Sequence, residues 1–329
     1  MATPSAHPVL IGASPAMAEV RRFVARAAGV SAPVLLLGET GTGKSLLARI
    51  IHASGARSAG PFVSVNCAAV PETLFESELF GHRRGAFTGA HEDRVGLIES
   101  AGSGTLLLDE VGDLPAPQQA KLLSVLEEGE VRPVGSRRTA RVDARVLSAT
   151  ASPLERRVAD GAFRRDLFHR LTVLSLRLPP LRERPGDLAP LAEHFLRAAA
   201  ERHRMARPRL DRPSLHLLEG HSWPGNVREL GHALEAALIL APEQGFAGAL
   251  AARLHERAAE AAAGGAPPPP PTTTPPDPSE RYSFYGSSDE ERGHIRAALA
   301  RCRGNRTLAA RELGMARNTL RDRMRRYGL

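Results

Sequence analysis

The run VLLLGETGTGKSLLARII at residues 34–51 leaves this chain few folds to choose from. Its first four residues suit a short strand buried on both faces, while Leu46, Leu47, Ile50 and Ile51 recur on one side of a helix. Between them stands G-x-x-x-x-G-K-[ST] in the setting the motif requires, strand then loop then helix. Gly38, Gly41 and Gly43 let the backbone curl until successive amides point inward, and the positive end of the following helix adds to them. The loop Gly38, Glu39, Thr40, Gly41, Thr42, Gly43, Lys44 and Ser45 is therefore a phosphate cradle. Lys44 is placed to meet the β- and γ-phosphates and Ser45 to ligate magnesium, so ATP and Mg2+ are the expected cofactors. Lys44 is one of only two lysines beside 42 arginines, which makes its retention informative.

Further strands are expected at 62–66 (FVSVN), 105–110 (TLLLDE) and 144–150 (ARVLSAT). Short apolar runs separated by helical stretches imply an α/β fold with a parallel sheet covered on both faces. TLLLDE ends on Asp109 and Glu110. Acids at the carboxyl end of a buried strand stand where such a sheet presents a metal-side carboxylate. Asp109 is expected to hold magnesium through water and Glu110 to orient or deprotonate the attacking water. A cationic finger should complete the set.

Charge divides the chain. Residues 291–329 hold 11 arginines against Glu291, Glu312 and Asp322, the whole of the net +8, while residues 1–290 are balanced at 33 bases and 33 acids. GAPPPPPTTTPPDP at 265–278 cannot belong to a packed helix or sheet and reads as a stiff linker. Four parts follow: an α/β part at 1–178, a helical part at 179–260, a linker at 261–288 and a basic helical unit at 289–329. In the last, helices fit about 289–302, 306–313 and 317–327, with Asn305 able to cap the second and Gly314 in the turn before the third. Leu320, Met324 and Tyr327 then face inward and leave Arg317, Asn318, Arg321 and Arg325 outward, with Thr319 beside them. This is a helix-turn-helix arrangement, whose second helix enters the major groove of DNA. Asn305, Arg317, Asn318, Thr319, Arg321 and Arg325 are its candidate DNA contacts, used in pairs on half-sites about one turn apart. Cys67 and Cys302 make neither a zinc site nor a disulfide framework. No run approaches the length of a membrane span, and a cytoplasmic setting is expected.

At 78–90 the chain reads ELFGHRRGAFTGA. With IGASPAM, FVSVNCA, DEVGDLPAPQQAKLLSVLEEGEVRPVGS, FRRDLFHRL, LPPLRERPGDL and WPGNVREL, it resembles the bacterial enhancer-binding proteins, the AAA+ activators of sigma-54 RNA polymerase. The basic end resembles their Fis-type domain. The resemblance implies a pore loop, Gly85, Ala86, Phe87, Thr88, Gly89 and Ala90, that touches sigma-54 through Phe87 and Thr88. It also implies that Asn66 pairs with Glu110, that Arg164 and Arg170 act in a neighbour's site, and that Arg228 is the lid's sensor arginine. Residues 109–136 look like a second pore loop with its flanking helix.

Two positions depart from the family. Arg83 and Arg84 stand where a glutamate is common after the His of the GH pair, so a carboxylate anchoring the loop must come from elsewhere. Ala151 stands where Asn usually follows Thr150, which leaves Thr150 to carry part of a polar role near the γ-phosphate. The expected function is an ATP-dependent activator that assembles into a hexameric ring, binds enhancer DNA and remodels the sigma-54 holoenzyme from closed to open complex. The rivals are a DNA-acting AAA+ motor and an ATPase-impaired repressor. Only about 30 residues precede the nucleotide strand, too few for a regulatory domain. Control is then expected from a separate protein, from expression, or from a domain preceding this sequence.

Overall fold

The computed structural model describes residues 9–263 and the single positions Leu299, Cys302, Ala309 and Met324. Residues 264–288 of the expected linker and the six candidate DNA contacts, Asn305, Arg317, Asn318, Thr319, Arg321 and Arg325, lie outside the described residues, whereas 261–263, expected to open the linker, continue the last helix of the lid. Contacts divide the chain into two compact units at Ala259 and Glu260.

Helix α1 (Pro15–Ala28) starts where the Ser14 hydroxyl accepts from the Met17 amide and a proline occupies a position that needs no donor. β1 (Val34–Leu37), the glycine loop and α2 (Lys44–Ala53) follow. β2 (Phe62–Asn66) leads to α3 (Glu72–Phe80), to a short ladder of β3 (Gly81–His82) with β4 (Arg94–Val95), and to α4 (Leu97–Ser100). β5 (Thr105–Asp109) and α5 (Ala116–Glu128) precede a second hairpin, β6 (Glu130–Val131) with β7 (Ala140–Arg141). β8 (Arg145–Thr150), α6 (Leu154–Ala159), α7 (Arg165–Leu171) and β9 (Leu174–Arg177) complete the α/β part.

The sheet is parallel, in the order β2-β5-β8-β1-β9. Alternation along its strands separates two cores. Leu35, Val65, Leu106, Leu108 and Val146 pack toward Phe75, Leu79, Leu122 and Leu167. Val34, Leu36, Leu107, Leu147 and Ala149 pack toward α1 and α2 through Met17, Val20, Leu47 and Ile51. The four expected strands are present. β9 was not anticipated, because Leu174, Ser175, Leu176 and Arg177 form an edge strand, alternately half-buried and exposed, with weak apolar signal.

Four helices make the lid: α8 (Leu188–His203), α9 (Arg212–Glu219), α10 (Asn226–Gln244) and α11 (Phe246–Ala263). Leu191, Leu196, Leu218, Trp223, Leu234 and Leu250 fill its own core. The buried indole of Trp223 donates to the Leu218 carbonyl at 2.9 Å, so its polar edge is satisfied.

Cys67, just past β2, is buried, and burial together with the nearby Asp109 charge pushes its thiol up to about 12. Thiolate is the reactive form, so the native chain should resist alkylation at Cys67 at pH 8, and unfolding should release it. Timed alkylation read by mass spectrometry checks this; rapid native labelling of Cys67 would contradict it. Because the unfolded thiol ionises first, this group's contribution to stability falls as pH rises past the ordinary thiol range toward 12.

Candidate active site

The carboxyl ends of the strands, the glycine loop and the lid enclose a cavity of about 660 Å³. Thr40, Gly41, Gly43, Lys44 and Ser45 line it, together with Asn66 and Asp109 at the ends of β2 and β5, Glu110, and Arg228 of α10. This is the crevice where parallel sheets take ligands. Gly38, Glu39 and Thr42, expected in the same cradle, do not line it. The Thr42 hydroxyl instead donates to the Glu39 carbonyl at 2.8 Å and braces the loop from within. Gly43 precedes α2 with a φ of 106°, and a Cβ there would meet no described atom within 4 Å. The helix N-terminus thus stays open to an anion.

Lys44 is 5% exposed. Its Nζ donates to the carbonyls of Gly38 at 2.8 Å and Glu39 at 3.3 Å and lies 3.7 Å from a Glu110 oxygen. Burial holds its pKa below the usual lysine value, against the opposing pull of Glu110 and Asp109. The Ser45 hydroxyl donates to Asp109 Oδ2 at 2.7 Å. A hydroxyl and a carboxylate converging beside a phosphate loop are the hard oxygen donors that suit magnesium.

Glu110 takes a left-handed backbone, φ 51° and ψ 48°, immediately after the strand. Such a conformation in a residue with a side chain is strained and is found mostly at sites where geometry matters. Its Oε2 accepts the Ala151 amide at 2.8 Å. The expected Asn66–Glu110 pairing is not made. Asn66 Oδ1 accepts the Ala68 amide at 3.0 Å in a local turn, while Glu110 is engaged by Ala151 and Lys44. Ala151 therefore retains a role through its backbone. Thr150 does not take up the polar role expected near the phosphate: it is buried, its hydroxyl accepts the Ser152 amide at 3.0 Å, and it does not line the cavity.

Arg164 and Arg170 stand outside their own chain's cavity. Arg164 pairs with Asp166 through Nε at 3.0 Å and Nη2 at 2.7 Å, which holds the Asp166 carboxyl down to about 2. Arg170 donates to the Leu126 carbonyl at 2.8 Å. Sequence reading missed Gln119, which is buried and bonds the Leu114 and Ala162 carbonyls while accepting the Arg164 amide at 2.8 Å. A glutamine on the buried side of α5 was the available signal.

The 85–90 loop is closed by bonds from the Gly85 amide to the Ala90 carbonyl at 2.9 Å and from the Ala90 amide to the Phe87 carbonyl at 3.0 Å. Gly85 and Gly89 have positive φ, and Thr88 and Phe87 are exposed, Phe87 by 41%. The Phe87 ring meets His82 edge-on at 5.0 Å, and His82 Nδ1 lies 2.6 Å from the Ser77 hydroxyl. The carboxylate that must come from elsewhere is Asp93, which accepts Arg83 Nη1 at 2.6 Å and the Arg84 amide at 2.8 Å. Val134 of the second hairpin loop joins the base of this one: the Arg83 amide donates to its carbonyl at 3.0 Å, and its own amide to Gly81 at 2.9 Å.

A phosphate loop, a paired hydroxyl and carboxylate, a strand-end glutamate and an arginine-bearing helical lid define a P-loop ATPase of the AAA+ class. Residues 10–177 match the Sigma-54 interaction domain, 182–265 the AAA+ ATPase lid domain, and 288–327 the Bacterial regulatory protein, Fis family. The chain belongs to the family of sigma-54 activators. Hydrogenase transcriptional regulatory protein HoxA of Cupriavidus necator is 46% identical over 94% of this chain and 63% of its own length. DNA-binding transcriptional regulator NtrC of Rhizobium meliloti is 39% identical over 97% of this chain and 70% of its own. The chain thus spans about two thirds of the length of these relatives. Among solved structures, NtrX from Brucella abortus in complex with ADP is similar with a TM-score of 0.70 and 33% identity, over 98% of this chain and 70% of NtrX. Its complex with ATP gives 0.69 and 34%, over 97% and 69%.

Proposed function

We propose that this chain binds ATP with Mg2+, hydrolyses it, and uses the cycle to remodel the sigma-54 RNA polymerase holoenzyme from closed to open complex. The observation that carries the reading is the exposed Phe87–Thr88 tip on the same compact unit as the nucleotide cavity. The ATP and ADP complexes of NtrX support the choice of nucleotide. Ser45 and Asp109 would hold the metal, which supplies charge neutralisation at the phosphates. Lys44 holds the β- and γ-phosphates, and Glu110, fixed by the Ala151 amide, orients a water and accepts its proton. Arg228 faces the phosphates from the lid. Arg164 and Arg170 serve a neighbour's site in a cytoplasmic hexameric ring.

Residues 1–178 and 179–260 form the motor, 261–288 the linker, and 289–329 the enhancer-binding unit. Asn305, Arg317, Asn318, Thr319, Arg321 and Arg325 contact DNA in paired copies. The charge-balanced motor beside a strongly basic end favours a protein target for the motor and DNA for the end. Thr88→Ala should retain ATPase activity yet fail to form open complexes with sigma-54 polymerase. Equal activation by the variant would remove the loop from the reading.

A further inference from the structure

The lid meets the phosphate loop and the segment leading into α1 through contacts of two chemical kinds. Asp187 is fully buried and accepts the Ala13 amide at 2.7 Å, the Ser14 amide at 2.8 Å and the Ser14 hydroxyl at 2.7 Å. Arg184, also buried, donates to the Thr42 carbonyl at 3.2 Å and the Met17 sulfur at 3.0 Å. Separating these groups would strand buried charge, so they act as a fixed axis.

The second kind is half-exposed. Arg182 grips Glu39 with both nitrogens, at 2.8 and 2.5 Å. Beneath the pair lies buried Asn226, whose Nδ2 donates to Glu39 Oε2 and to the Thr40 carbonyl, each at 3.1 Å. Its Oδ1 accepts the Leu181 amide at 2.8 Å. Asn226 stands two residues before Arg228, and the Arg228 amide donates to the Gly41 carbonyl at 3.3 Å. A Cβ on Gly41 would sit 2.1 Å from the Gly225 carbonyl oxygen, so glycine at 41 is demanded by the lid's approach as well as by its φ of 81°.

We propose that Glu39 is a positioning residue: with Arg182 and Asn226 it forms a releasable latch that seats the lid on the phosphate loop and so sets where Arg228 stands over the phosphates. Its side chain serves the lid and not the cavity. The two-pronged grip selects one orientation, and half-exposure lets water replace it at little cost. The Arg182 hydrogen bonds hold the Glu39 carboxyl down to about 2, so the latch stays charged at physiological pH. Asp187 and Arg184 supply the axis about which it opens.

The inference rests on the cavity being an ATPase site, and Lys44→Ala tests that separately. Steady-state hydrolysis and binding of a fluorescent ATP analogue would be measured for Arg182→Ala, Arg228→Ala and the double variant. Arg182→Ala should lower kcat about tenfold with a smaller change in KM. In the Arg228→Ala background it should cost nothing further, because its effect passes through Arg228. Additive losses, or an unchanged kcat for Arg182→Ala with Lys44→Ala inactive, would overturn the latch. Wild-type turnover by Lys44→Ala would overturn the cavity reading and the latch with it. Arg182 is half-exposed, and circular dichroism of each variant separates lost folding from lost coupling.

Discussion

Lys44→Ala should lower ATP hydrolysis by about a thousandfold or more and leave the chain no less stable. The ammonium lies against the loop, buried, at the mouth of the helix that receives the phosphates, so its charge is preorganised and dry. The same burial makes it a poor contributor to folding. Its own partners are two carbonyls and a glutamate 3.7 Å away, and its pKa is held below the ordinary value. Between the folded and the ordinary pKa the unfolded chain binds more protons, so this residue's contribution to stability rises with pH. The Tm of wild type minus that of the variant should therefore increase as pH rises toward the ordinary lysine range. Phosphate release measures the first expectation and thermal denaturation the second. A variant that keeps wild-type turnover would displace Lys44 from the site.

Glu110→Gln should slow hydrolysis by about a hundredfold to a thousandfold with ATP affinity retained. The amide oxygen of glutamine can still accept the Ala151 N–H, and the left-handed backbone makes the same demand on either residue. What disappears is the negative charge and the proton acceptor. Single-turnover hydrolysis and equilibrium binding separate the two quantities. Hydrolysis within a few-fold of wild type would assign the proton to another group.

The loop-and-helix half of the site was legible because its residues are neighbours in the chain: strand, glycines and helix N-terminus declare their roles within 18 residues. Asp109 and Glu110 were legible for a related reason, since an apolar run fixes where its strand ends. Other features depend on contacts that no local pattern encodes. Arg182 and Asn226 reach Glu39 across 143 and 187 residues, and nothing in LRER or GNVR marks those partners. The Asn66–Glu110 pairing failed because the competitors for each side chain, the Ala68 and Ala151 amides, belong to the backbone. Asp93 could be anticipated as a need but not as a position.

Helix α5 begins shortly after Glu110 and ends at the hairpin whose Val134 is bonded to Gly81 and Arg83. Its 13 residues make a rod of about 20 Å. Tilting such a rod by about 10° carries its far end about 3.5 Å. The helix thus links the stretch that follows Glu110 to two loops bonded into one body, and a rigid tilt about its first turn would be magnified toward them. A tilt that pivots at Ala116 would carry Leu122, midway along the rod, about half as far as the hairpin end, so a small adjustment in the core would become a larger stroke at the loops.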